Sequence, residues 1–266
     1  MPFFQGYNPP VVVIYTLVMA FAVVVTIVDT IVVGGLGAIL GFIPPRGDWT
    51  RRLARVWAQL ILWSALIRVK VEGADRVPAG GPVVFMANHE SWLDIPVLLV
   101  AIPGQVRFLA KSSLFSIPFL GWAMRSMGFI PVDRENRRTA VKSFEKAAAR
   151  IRAGRSVLVF PEETRTSDGS LLPLQRGGFL IALKAALPIV PVGLDGARRC
   201  MPKYNYVVRP GKITVRFGEA IPTAGRSVSE KTALMETTRN AIAVLRGTPE
   251  DVRGAAPAAA AAETEA

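Results

Sequence analysis

The sequence is poor in the residues that staple small proteins. Its 266 residues include one cysteine, Cys200, and one histidine, His89. A single cysteine excludes an intrachain disulfide. The two residues together fall short of the three or four His/Cys ligands that the usual zinc sites require. No staple is needed, because a chain of this length can bury an adequate core without one. Acidic charge is also scarce, with 20 Asp+Glu against 32 Lys+Arg and a formal net charge of +12. Such an excess suits an anionic partner, either nucleic acid or a phospholipid surface. Hydrophobic residues make up 51% of the chain, and the mean hydropathy is positive. That combination argues against a purely soluble nucleic-acid binder and for a membrane.

The apolar residues concentrate near the N-terminus. Val11 to Val28 is an uncharged run of 18 residues, and Ile31 to Ile43 is a second run of 13. Asp29, Thr30, Gly34 and Gly35 mark a break between them. Two arrangements satisfy this pattern: one long tilted spanning helix, or a helical hairpin that enters and leaves by the same leaflet. A cleavable leader fits poorly, since residues 1–10 carry no Lys or Arg. Gly37 and Gly41 suit a close helix–helix contact. Arg46, Arg51, Arg52 and Arg55 follow, which favours the cytoplasmic side of a membrane. Residues 48–64 form an amphipathic helix. Trp49, Leu53, Val56, Trp57, Leu60 and Ile61 lie on one face, with Arg51, Arg55 and Gln59 on the other.

From Ile67 strands and helices alternate. Strands are expected at 67–72, 83–87, 106–110, 128–132, 156–160, 189–194 and 212–217. Helices are expected at 92–101, 116–126, 137–153, 177–186 and 228–246. The fold class is therefore α/β, a mixed, largely parallel sheet flanked by helices. Helix 137–153 buries Val141, Phe144, Ala148 and Ile151, and Gly154 stops it. Residues 1–45 form the membrane-associated segment and 46–247 the α/β domain. Residues 248–266 form an Ala/Pro-rich tail expected to be disordered.

Three polar clusters follow apolar strands. The first is Asn88-His89-Glu90-Ser91-Trp92-Leu93-Asp94. His89 falls at a strand's carboxyl end, where open α/β sheets place ligands. Asp94, one turn into the next helix, can curl back to one ring nitrogen. The other nitrogen is then left to accept a proton from an alcohol. The HExxH pattern is excluded, because position 93 is leucine. Ser91 as a hydrolase nucleophile is a second reading, weakened by the absence of a GxSxG elbow. The other clusters are Gly128-Phe129-Ile130-Pro131-Val132-Asp133-Arg134 and Phe160-Pro161-Glu162-Glu163-Thr164-Arg165-Thr166. Two arginines at two strand ends make an anion site, unless the neighbouring acids pair with them. A fourth segment, Leu187 to Leu194, contains Pro191 and so belongs at a sheet edge or a bulge. The basic cluster Arg134, Arg137 and Arg138 has no interleaved aromatic, which argues against nucleic acid as partner.

These four segments resemble, in order, the four motifs of the glycerolipid acyltransferase family, whose reference activity is 1-acylglycerol-3-phosphate acyltransferase. The resemblance covers about residues 67–217. It implies transfer of an acyl group from acyl-CoA or acyl-carrier protein, as co-substrate, to the free hydroxyl of a lysophospholipid. His89 would be the general base and Asp94 its orienting partner. Arg134, Glu162, Thr164 and Arg165 match the acceptor-binding positions. It implies no cofactor and no metal. It also favours the hairpin reading of residues 11–43, and a location on the cytoplasmic face of a bacterial inner membrane. One position departs from the family pattern FPEGTR: residue 163 is glutamate. Glycine there would permit a positive φ or close approach to a ligand, and a carboxylate repels an acceptor phosphate. The acceptor is thus lysophosphatidic acid, or a lyso-lipid with another headgroup, such as a lyso-ornithine lipid or a lysophospholipid under remodelling.

Overall fold

The computed structural model describes residues 9–40, 48–132, 154–205 and 207–247. Seven strands form one sheet: β1 (Ile67–Glu72), β2 (Val84–Ala87), β3 (Val106–Lys111), β4 (Ile130–Val132), β5 (Ser156–Val159), β6 (Ile189–Asp195) and β7 (Gly211–Phe217). Their order is β1-β7-β6-β2-β5-β3-β4. Strands β6, β2, β5, β3 and β4 are parallel, β7 is antiparallel to β6, and β1 is parallel to β7. The helices are α1 (Pro9–Leu40), α2 (Asp48–Ser64), α3 (Asp94–Ala101), α4 (Leu120–Ser126), α5 (Arg176–Ala185), α6 (Ala197–Cys200) and α7 (Lys231–Arg246). The sheet class read from the sequence is therefore the class observed. The expected helix 137–153, the residue Arg134 and the tail 248–266 lie outside the described residues.

Both faces of the sheet are covered, which is why β2 reads as an unbroken apolar run. Val84 and Met86 pack with Phe179, Ile181 and Ile242 on one face. Phe85 and Ala87 pack with Val97, Leu98 and Phe217 on the other. Pro191 lies in an interior strand, paired with Met86 of β2. A bulge accommodates it. Val192 opposes Phe217 and Gly218 N–H donates to Pro191 O, yet Ile189 pairs with Ile221, so one extra residue is inserted opposite Val190.

The N-terminal region corrects two expectations. The hairpin within residues 11–43 is not formed, since α1 runs unbroken through Asp29, Thr30, Gly34 and Gly35. A glycine inside a helix costs only about 1 kcal/mol, and here two glycines provide a packing seam. A Cβ on Gly34 would meet Phe119 O at 2.6 Å, and one on Gly37 would meet Ser126 Oγ at 2.9 Å. These contacts seat α1 against α4. The partner of α1 in an antiparallel pair is instead α2, with Phe21 edge-on to Trp63 at 5.9 Å and Trp57 Nε1 donating to Thr30 Oγ1 at 3.1 Å. By length and composition Pro10–Gly37 can cross a bilayer.

The second correction concerns α2. Its inward face is Ala54, Ala58, Ile61 and Leu62, while Trp49, Val56, Leu60 and Trp63 are exposed. Arg55, expected on the face opposite the apolar one, turns inward and donates to Leu99 O, Val100 O and Ile102 O. The last carbonyls of α3 lack intrahelical donors, and a guanidinium supplies them.

Candidate active site

Parallel pairing brings the carboxyl ends of β2, β5 and β6 to one edge of the sheet. The His89 segment follows β2 and the Glu162 segment follows β5. There the His89 Nδ1 lies 2.7 Å from Asp94 Oδ2. The same oxygen accepts the backbone N–H groups of Glu90 at 2.7 Å and Ser91 at 2.9 Å. Asp94 is fully buried at the first turn of α3, where a carboxylate also meets the positive end of the helix dipole. An ionised Asp94 requires Nδ1 to carry the proton, so Nε2 is the free acceptor. The imidazole stacks on Phe160, ring centroids 4.0 Å apart and 15° from parallel. Ring, tautomer and lone-pair direction are thus all fixed.

The loop after β5 clamps the backbone of His89 on both sides. His89 N–H donates to Glu162 Oε1 at 2.7 Å, and Thr166 N–H donates to His89 O at 2.9 Å. Glu162 Oε2 accepts Leu172 N–H at 2.8 Å. Glu162, assigned to the acceptor by resemblance, is buried, and its two carboxylate oxygens hold two backbone amides. Burial pushes its carboxyl up to about 7 from 4.5, although both amide bonds pull it down. A carboxyl with a raised folded pKa contributes most to stability when protonated. Its contribution falls as pH rises from about 4.5 to about 7. Thermal unfolding across that range should show this decline, and Glu162→Gln should flatten it.

Asn88 and Glu90 carry the segment into the rest of the molecule. Asn88 exchanges two hydrogen bonds with the backbone of Leu194 on β6, at 2.7 and 3.0 Å. Glu90 Oε1 pairs with Arg246 at 2.8 Å, with side chains 7% and 2% exposed. Arg246 also donates to Gly169 O. Burial raises the Glu90 carboxyl, and Arg246 opposes that shift. Ser91 is fully buried and its hydroxyl donates to Met201 O at 2.7 Å, which removes it as a nucleophile.

Thr164 and Arg165 lie in the same loop, between Glu162 and Thr166, which bond the His89 backbone. The Arg165 guanidinium stacks 4.7 Å from the centroid of Trp92, itself 45% exposed. Lys203 Nζ donates to Arg165 O at 2.7 Å and Thr164 Oγ1 at 3.3 Å. Two cations therefore stand beside the loop. Glu163 has φ of +59°, the conformation that glycine adopts without strain. Glu163→Gly should raise unfolding free energy by about 1 kcal/mol, measured by thermal or denaturant unfolding. No motif marks Lys203 or Arg246 in the sequence. Lys203 sits in a Pro/Tyr-rich loop, and Arg246 reads as an ordinary basic residue in a helix's last turn.

Comparison with known proteins adds independent findings. Residues 68–195 match the family model described as Acyltransferase. The chain is 33% identical over 190 residues to human 1-acyl-sn-glycerol-3-phosphate acyltransferase alpha, covering 71% of this chain and 67% of that one. It is 33% identical over 189 residues to a chloroplastic 1-acyl-sn-glycerol-3-phosphate acyltransferase of Brassica napus, covering 71% of this chain. The match spans about half the length of the Brassica protein. Among solved structures, the 1-acyl-sn-glycerophosphate acyltransferase PlsC of Thermotoga maritima superposes with a TM-score of 0.76 at 25% identity, over 90% of this chain and 96% of that one.

Proposed function

The chain belongs to the Acyltransferase family, and on that premise we propose that it moves a fatty acyl group from a thioester to the sn-2 hydroxyl of lysophosphatidic acid, giving phosphatidic acid. The observation that carries this reading is the buried Asp94 holding His89 with Nε2 free. No described residue bonds to that nitrogen. In the proposed step the acceptor's O–H proton passes to Nε2, and its oxygen attacks the thioester carbonyl carbon. The C–S bond breaks, and the protonated imidazole returns its proton to the departing thiolate. The acyl group moves directly, with no covalent enzyme intermediate. The donor is acyl-CoA or acyl-carrier protein, acting as co-substrate. Arg165 and Lys203, with Arg134, attract the acceptor's phosphate.

Both substrates are amphiphiles, and α1 with the exposed face of α2 supports a membrane-bound enzyme. Anionic lipid attracts a basic body by about 1 kcal/mol per basic residue near the surface. The arginines from 46 to 55 favour the cytoplasmic leaflet. A second acceptor reading, a lyso-lipid with another headgroup, is favoured by one observation: the Glu163 carboxylate in the loop beside Arg165. An acceptor panel in vesicles, with one acyl-CoA and product mass as readout, tests the assignment. Lysophosphatidic acid should give the fastest turnover. Preference for a lyso-lipid without a phosphomonoester would transfer the assignment to the second reading.

A further inference from the structure

The loop after β5 clamps His89, so whatever holds that loop bears on the dyad. Residues 160–175 form neither helix nor strand. An irregular segment must find partners for its own backbone groups. The tip closes on itself: Asp168 Oδ1 accepts from Thr166 Oγ1 and from Ser170 N–H, both at 2.9 Å. Gln175 N–H donates to Pro161 O at 2.7 Å and closes the base. Other carbonyls accept from arginines outside the loop. Arg198 of α6 donates to Ser167 O at 3.3 Å, and Arg246 of α7 donates to Gly169 O. Arg239 of α7 takes two carbonyls in succession. Its Nη2 donates to Leu171 O and its Nη1 to Leu172 O, both at 2.8 Å.

The Arg239 contact differs from the other two in what lies behind it. The C=O of Leu171 and the N–H of Leu172 belong to one peptide group, which is planar. Gripping the oxygen therefore sets the direction of the N–H. That N–H donates to Glu162 Oε2 at 2.8 Å, and Glu162 Oε1 accepts His89 N–H at 2.7 Å. A cation on the carbonyl also polarises the group and strengthens its N–H as a donor. The planar fork of the guanidinium holds both carbonyls at once, so the peptide is kept from tilting about a single bond. Packing supports the same placement. Leu171 is 4% exposed and shares a cluster with Phe179 of α5 and with Leu234 and Ile242 of α7. The carbonyls that Arg198 and Arg246 hold lie on other peptide groups.

We propose that Arg239 is a positioning residue for acyl transfer, acting through the 171–172 peptide and Glu162 to fix the backbone of His89. The proposal rests on the reading of His89 as general base. A general base must stand within about 2.6–3.2 Å of the proton it takes. A misplacement near 1 Å can cost about 10²-fold in rate. Without Arg239, Asp94 still holds Nδ1, but the backbone that carries the ring loses its fixed acceptor. The residues proposed to hold the acceptor are untouched.

The test is a double-mutant cycle on the full chain in phospholipid vesicles. Arg239→Met keeps an apolar stem and removes the donors. It should lower kcat by about tenfold or more and leave KM for lysophosphatidic acid and acyl-CoA within about twofold. Arg239→Lys should recover part of the loss, since an ammonium can serve one carbonyl. Arg198→Met frees Ser167 O alone and should leave kcat within about twofold. Amide exchange in peptides spanning residues 88–94 should quicken in Arg239→Met and stay unchanged in Arg198→Met. Glu162→Ala cuts the relay itself, so adding Arg239→Met to it should lower kcat by no more than about a further twofold. Fully additive losses would overturn the relay, as would an unchanged kcat in a folded Arg239→Met. If Arg239→Met unfolds below the assay temperature, Arg239→Lys carries the same cycle. His89→Ala, run in parallel, reads the general-base assignment by itself. Near-normal turnover there would overturn that assignment and this proposal with it. Additive losses beside an inactive His89→Ala would overturn the relay alone.

Discussion

His89→Ala should lower acyl transfer by at least about 10² to 10⁴, the usual contribution of a positioned general base. The sequence offers no second imidazole to substitute for it. The Asp94 carboxylate cannot act in its place, because it is fully buried and bonded to the backbone of Glu90 and Ser91. The fold should survive. The clamp on residue 89 from Glu162 and Thr166 is to backbone groups, which alanine keeps. The lost ring is 17% exposed and makes one stack on Phe160, outside the buried core itself. The measurement is kcat with a saturating thioester and acceptor, alongside a thermal unfolding curve. An unfolding temperature close to that of the unmodified protein, with turnover near background, is the expected pair. Near-normal turnover would end the general-base assignment.

The largest stability effect should come from Arg246→Ala. It would leave the buried Glu90 carboxylate without its cation, and such breakage costs about 3–5 kcal/mol. For a domain of this size that is a fall of roughly 10 °C in unfolding temperature. Activity should fall too, since Glu90 is next to His89 and helps fix its segment. The cause can be separated from simple loss of packing. Removing both charges, as in Glu90→Leu with Arg246→Met, should recover part of the stability, because a buried pair replaced by apolar groups is often near neutral. If the double variant is as unstable as the sum of its singles, the pairing does not explain the loss.

The strands were legible because both sheet faces are buried, and runs such as Val83–Ala87 and Val157–Phe160 are apolar from end to end. The dyad was legible because a histidine at a strand end, with an aspartate one turn into the next helix, admits few geometries. The course of α1 was not. Asp29 and the glycines after it signal a turn in isolation, and only the seam against Phe119 and Ser126 shows why the helix continues. Glu162 reads as a site residue, but its partners, the amides of His89 and Leu172, depend on two loops that sequence does not juxtapose. Arg246 lies 156 positions from Glu90, beyond any local pattern. Glutamate at 163 is an odd residue for its place, and its positive φ gives that oddity a conformational cost.

The central claim is direct transfer to a lipid hydroxyl activated by His89. Rapid-quench measurement of thiol release from acyl-CoA, with and without lysophosphatidic acid, tests it most directly. Release should require the acceptor, match phosphatidic acid mole for mole, and disappear in His89→Ala. A burst of thiol without acceptor, leaving the acyl group on the protein, would contradict it.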